Sequence, residues 1–304
     1  MEPNGVPVLF IPGNAGSYRQ VRPIAAEAAT QFFNAYRNNA SILQDGIRNL
    51  DFFTGSTIVV CVLIVVDFNE DFSAFHGQTL LDQAEYLNEA VSYILSLYHE
   101  TRRAPHDVGL PDPQSVIIVG HSMGGIVARA MLTMPNYLPN SINTIITMAA
   151  PHALPPAPFD WEMQRIYTSV NTYWRKAYAA KWANNNPLWH VTLISIAGGG
   201  LDNTVASDYT ATSSIVPMTN GFTVYTSTVP GVWTGMDHQA ILWCDQFRKV
   251  VARSLLEVID VRRAAQTKSR AERMQVFRKL YLSGLEENIQ KTLPYSCIFP
   301  YGCD

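Results

Sequence analysis

A serine set between two glycines, where an apolar strand has to become a helix, constrains this chain more than any other feature. Residues 115–125 read SVIIVGHSMGG, and a helix-compatible run, 126–132, follows directly. Gly120-His121-Ser122-Met123-Gly124 has the G-x-S-x-G spacing of a nucleophile elbow. At such an elbow the backbone turns sharply and holds the serine in a strained conformation with its hydroxyl exposed. Glycines two positions before and two after leave room for the close approach of neighbouring backbone. The turn demands a strand-then-helix framework, and the rest of the chain supplies one.

Residues 6–11 form a short apolar strand, closed by the turn signal Pro12-Gly13-Asn14-Ala15-Gly16. A helical pattern runs over about 20–33, and 52–66 is β-rich. Leu80, Ala84, Leu87, Val91, Ile94, Leu95 and Tyr98 recur at helical spacing before a proline-rich break at 105–113. After the elbow come strands at 142–148 and 191–197, another at 223–227, and a last long helix over about 240–258. Strands apolar on both faces, alternating with helices, predict an α/β fold with a mostly parallel central sheet flanked by helices. The expected organisation is an α/β-hydrolase domain over 1–262, with a C-terminal helix and tail over 263–304. Residues 266–284 are charged and read as a solvated surface helix. The segment at about 152–190 carries Trp161, Tyr167, Tyr173, Trp174, Tyr178, Trp182 and Trp189. It is expected as a helical cap insertion over the catalytic edge, and two roles fit it: lining an acyl-chain groove, or packing on the sheet as an ordinary amphipathic helix.

Composition narrows the partners. A formal net charge of -3 supplies no basic field for nucleic acid. Only 15% of residues are charged, which suits a lipid-handling protein. Cys61, Cys244, Cys297 and Cys303 make no zinc-type spacing; the last two fit either a small-loop disulfide or free thiols. No secretory signal opens the sequence, and Asn39-Ala40-Ser41 is its one glycosylation sequon. The longest apolar run, 58–66, falls far short of the ~18–20 residues that span a bilayer.

A serine is a weak nucleophile until a general base takes its proton, and that base needs an orienting carboxylate. On this fold the three follow one another as serine, acid, histidine, each after a strand. Asp202, in AGGGLD after the strand at 191–197, is the leading acid, with Asp208 in reserve. His238, in GMDHQA, occupies the slot before the final helix. Asp237 competes as the acid, but adjacency to His238 gives it poor geometry. His121 is expected to point away from the nucleophile and His152 to lie near the rim. The oxyanion hole should use the N–H of Met123 and one from the loop after the first strand, with Asn14 and Ala15 as candidates. This chemistry needs neither a metal nor an organic cofactor.

These residues closely resemble the glycosylphosphatidylinositol (GPI) inositol-deacylase family. VPVLFIPGNAGSYRQVRPIAAEA (6–28) looks like that family's oxyanion loop, and DFNEDFSAFHGQTLLDQAEYLNEAVSYILSLYH (67–99) like its strand-to-helix segment. VGHSMGGIVARAML (119–132) matches its elbow, and Asp202 and His238 fall at its acid and histidine positions. The likeness covers roughly residues 5 to 260. It implies a serine ester hydrolase that removes the acyl chain from the inositol of GPI-anchored proteins. It further implies a multi-pass protein of the endoplasmic reticulum membrane, with the hydrolase domain lumenal and membrane association through segments absent from this chain. Against the family pattern, residues 55–65 are an apolar insert that interrupts or duplicates a central strand. It is either genuine or a retained intron, with the second favoured. Two alternatives share the same motifs: a general lipase, esterase or acyltransferase, and an inactive truncated chain that binds lipid.

Overall fold

The computed structural model describes residues 5–37, 60–100, 111–157, 159–179 and 186–284. Among these residues six parallel strands make one sheet: β1 (Gly5–Ile11), β2 (Val60–Val65), β3 (Val116–His121), β4 (Ile142–Met148), β5 (Thr192–Ala197) and β6 (Gly221–Tyr225). Their order is β2-β1-β3-β4-β5-β6. Among the described residues six α-helices cover it: α1 (Arg22–Arg37), α2 (Gly77–Glu100), α3 (Met123–Met131), α4 (Trp161–Ala179), α5 (Asp245–Glu257) and α6 (Arg270–Tyr281). This is the α/β arrangement, a parallel sheet flanked by helices, read from the alternation of strands and helices.

Period-2 alternation along the strands divides the interior into two cores. Leu9, Ile11, Val116 and Ile118 face the layer made by α2, α3 and α4. Val8, Phe10, Ile117 and Val119 face the layer made by α1, α5 and α6. The side chains of β3, β4 and β5 are completely buried, and each large one contributes about 1.5–3 kcal/mol by leaving water. Two-sided burial is why the strands read as unbroken apolar runs. Because every strand is parallel, the loops after β1, β3, β5 and β6 emerge at one carboxyl edge.

Three expectations change. The described part of the insert, 60–65, does not occupy the middle of the sheet: among the described residues β2 pairs with β1 alone, from Gly5↔Val60 to Phe10↔Val65, as the edge strand. The apolar residues 62–64 are partly buried there and Val65 is exposed, which an edge strand permits. Residues 55–59 lie outside the described residues, as do Asn39, Trp182, Cys297 and Cys303.

The helix expected as a cap lies instead in the first layer. Met163, Ile166, Tyr167, Val170, Trp174 and Ala177 form one buried stripe of α4 and join the core of α2 and α3. Of the two roles weighed for this segment, the buried stripe fits an amphipathic helix, packed here against α2 and α3. The third change concerns α6, which is no solvated helix. Met274, Phe277 and Tyr281 enter the second core, and the Arg273 guanidinium is buried, donating to the carbonyls of Lys268, Asn143 and His190. The many charges on the other face of α6 hid a three-residue apolar stripe. No described helix is long and apolar enough to cross a membrane.

Candidate active site

Ser122 sits between β3 and α3 at φ 52°, ψ -126°, a backbone state costing about 1–3 kcal/mol. The neighbouring strand β4 and the helix α3 hold it there: its N–H donates to Met148 O at 2.9 Å, and Gly125 N–H donates to its carbonyl at 3.0 Å. The glycines are required by contact. A Cβ on Gly124 would stand 2.2 Å from Ile11 O, and one on Gly120 2.9 Å from Gly125 Cα. Met123 is the first residue of α3, so its N–H has no acceptor within the helix and is free for a substrate oxygen.

Asp202 and His238 meet after β5 and β6. His238 Nδ1–H donates to Asp202 Oδ2 at 3.0 Å, with both side chains almost fully buried. A carboxylate only accepts, so the proton is on Nδ1 and Nε2 keeps its lone pair. Asp202 Oδ1 accepts from Thr204 N–H and Val205 N–H, both at 2.9 Å. Burial pushes the Asp202 carboxyl up, but the hydrogen bonds from His238, Val205 and Thr204 together outweigh it and hold the pKa below the ordinary carboxylate value. The two loops are tied by Met236 N–H to Gly198 O at 2.7 Å and by Thr226 Oγ1–H to the same carbonyl at 3.0 Å. Asp237 is engaged elsewhere: its Oδ1 accepts from Gln239 N–H and Ala240 N–H. Asp208, the reserve, lies in the short 3-10 helix Ser207–Thr210.

The loop after β1 lies directly against the nucleophile. A Cβ on Gly13 would be 2.6 Å from Ser122 Cβ and 3.2 Å from its Oγ. The two candidate donors of this loop part company. Ala15 N–H donates to Asp71 O at 2.9 Å, which removes it as a free oxyanion donor. Asn14 Oδ1 accepts from Ala74 N–H at 2.9 Å, anchoring the loop and leaving the Asn14 N–H as the candidate. The segments 6–28 and 67–99 therefore meet at the site.

His121, expected to point away from the nucleophile, packs against the histidine loop. Its Nε2–H donates to the His238 carbonyl at 2.8 Å, and the two rings lie 4.8 Å apart at 46°. Burial first, and His238 beside it, push the His121 pKa down to about 3, so the ring is neutral. Strand alternation carries the signal for this: 117, 119 and 121 share the face on which the histidine loop packs. His152 is buried behind the elbow rather than at its rim, with Nε2 2.8 Å from Thr147 Oγ1. Its carbonyl accepts from Arg129, a fully buried residue of the elbow helix that also donates to Asn171 and lies under the Trp174 ring.

Large apolar side chains stand exposed on the loops of the same edge. Phe72 and Phe75 follow β2, Phe159 (90% exposed) and Trp161 (83%) lead into α4, and Leu201 and Trp233 follow β5 and β6.

The family described as PGAP1-like alpha/beta domain matches residues 2–258. The chain belongs to this family. Curated relatives agree: a GPI inositol-deacylase of Chaetomium globosum is 65% identical over 292 residues, which is 96% of this chain and 24% of that one. Those of Neurospora crassa and Aspergillus oryzae are 63% and 62% identical, over 95% and 96% of this chain and 22% and 25% of theirs. The chain thus spans about a quarter of the length of the curated relatives it matches. Among solved structures, Aspergillus fumigatus lipase B superposes with a TM-score of 0.46 at 10% identity, covering 90% of this chain and 60% of that one, a likeness too distant to speak to function.

Proposed function

We propose that this chain is a serine carboxylic-ester hydrolase that removes the acyl chain from the inositol of GPI anchors. The observation that carries the chemistry is the Asp202–His238 hydrogen bond at the sheet edge where Ser122 is held at φ 52°. The substrate class is supported by high identity to proteins named GPI inositol-deacylase and by the exposed apolar side chains around the site, which suit a lipid. The same kinship supports work in the endoplasmic reticulum, on the lumenal side of its membrane, with acylated GPI lipid or GPI-anchored proteins as substrate.

In the first half-reaction His238 Nε2 takes the Ser122 hydroxyl proton as Oγ attacks the acyl carbonyl carbon. The resulting oxyanion is stabilised by the N–H groups of Met123 and Asn14. Collapse breaks the bond to the inositol oxygen, which leaves with the proton held by His238, and an acyl-enzyme remains on Ser122. Water then gives its proton to His238, attacks the ester, and releases a fatty acid as Ser122 recovers its hydrogen. Asp202 orients His238 throughout and stabilises its charged form.

A radiolabelled acyl ester incubated with and without alcohol acceptors tests the reaction type. Free fatty acid in both samples is expected; products of transfer alone would make the chain an acyltransferase. A fluorophosphonate probe should label Ser122, and a folded sample that stays unlabelled would be a lipid-binding chain without turnover.

A further inference from the structure

We infer that His121 is a positioning residue for the reaction: through its ring nitrogen it ties the carbonyl of His238 to the strand that carries the nucleophile. The inference rests on reading Ser122, His238 and Asp202 as one catalytic set.

His238 belongs to a long connection. Between the end of β6 and the turn at Ala240, Ser227, Thr228, Gly231, Trp233, Thr234 and Asp237 are all exposed. Between these exposed positions Val229, Val232 and Met236 anchor the loop in the second core, and His238 follows the last anchor by two residues. Its side chain is held at one nitrogen by Asp202, and Asp202 is itself on a loop. His121 supplies a connection of another kind. It closes β3, a fully buried strand paired on both sides, and one peptide bond links it to Ser122. Its Nε2–H reaches the His238 backbone at 2.8 Å, and its ring packs against the His238 ring at 4.8 Å. The relative position of nucleophile and base is therefore set by a rigid path of two adjacent residues and one buried hydrogen bond. Among the described residues the other ring nitrogen, Nδ1, has no hydrogen-bond partner although buried, and the ring's hydrogen bond is the one to the His238 carbonyl. The neutral state of the ring keeps a second positive charge away when His238 takes the serine proton.

Replacing the donor while keeping a ring separates this role from bulk packing. In His121→Phe the rate of fluorophosphonate labelling and kcat for a soluble ester should fall roughly 10- to 100-fold, with KM unchanged. His121→Gln, whose amide nitrogen reaches about as far as Nε2, should restore both to within roughly threefold of the native rate, the residual loss being that of the ring contact alone. The far-downfield proton resonance of His238 Nδ1–H should shift or broaden in the Phe variant and return in the Gln variant. If the Phe variant does not fold, His121→Met, flexible and without a donor, takes its place. Native labelling together with native rates and an unmoved resonance in the donorless variant would overturn the inference alone. A native chain that is folded yet unlabelled would overturn the catalytic reading and the inference with it.

Discussion

Gly13→Ala puts the closeness of the oxyanion loop to the nucleophile under direct test. Gly13 does not use the left-handed backbone region, so alanine meets no intrinsic strain and only the added Cβ matters. That atom would stand 2.6 Å from Ser122 Cβ, 3.1 Å from His121 O and 3.2 Å from Ser122 Oγ. Carbon atoms in ordinary contact lie ~3.5–4.0 Å apart, so the loop or the serine has to yield by about 1 Å. A displacement of that size in reacting groups costs on the order of 100-fold in rate, or about 2.7 kcal/mol of transition-state stabilisation. The same crowding should lower stability by about 1–3 kcal/mol. Gly200→Ala is the matched control, since its Cβ would meet nothing within 4 Å. Fluorophosphonate labelling rates and ester kcat, read beside thermal midpoints, give both quantities at once. Native rates and a native midpoint in the Gly13→Ala variant would refute the packing of this loop on Ser122.

Asp202→Asn keeps the shape but favours the wrong histidine tautomer, and kcat should fall on the order of 10⁴-fold; a loss below tenfold would pass the role of acid to another group. His121 is held down to about 3, against about 6.5 in the unfolded chain. Between those values the unfolded chain binds a proton that the folded one refuses, so stability drops as pH falls from 6.5 toward 3, by about 2 kcal/mol at pH 5 for this residue. Urea midpoints at pH 7 and pH 5 should therefore differ less in His121→Gln, and an unchanged gap would contradict the buried neutral ring. Replacing Phe75 and Trp233 with serine should raise KM for long-chain esters while short-chain esters are hydrolysed as before, as comparative kinetics on the two substrate lengths would show.

The fold and the outline of the site were legible because they rest on local rules. Two-sided burial made the strands readable as apolar runs, and the elbow, the AGGG turn before Asp202 and the GMDH turn before the last helix each announce themselves within a few residues. What was not legible depends on contacts between distant parts of the chain. Nothing local to Ala15 tells that its N–H is taken by Asp71, fifty-six residues on. Nothing local to 55–65 tells that the strand it feeds would stand at the edge beside β1. The charged run of α6 suggested exposure and the aromatic run of α4 left groove lining and core packing both open, yet in both helices a narrow apolar stripe decides the packing. For His121 the alternation along β3 gives the face its ring lies on, but its partner, the His238 carbonyl, is 117 residues on and has no local signal.

The central claim is that Ser122 cleaves the inositol-linked acyl ester of GPI. Mass spectrometry of inositol-acylated GPI after incubation with the chain measures it directly. The account predicts loss of one acyl group from the inositol ring, matching fatty acid in solution, an acyl adduct on Ser122 in quenched samples, and none of these with Ser122→Ala. Acyl loss that persists in Ser122→Ala, or loss from the glycerol positions with the inositol ester intact, would contradict it.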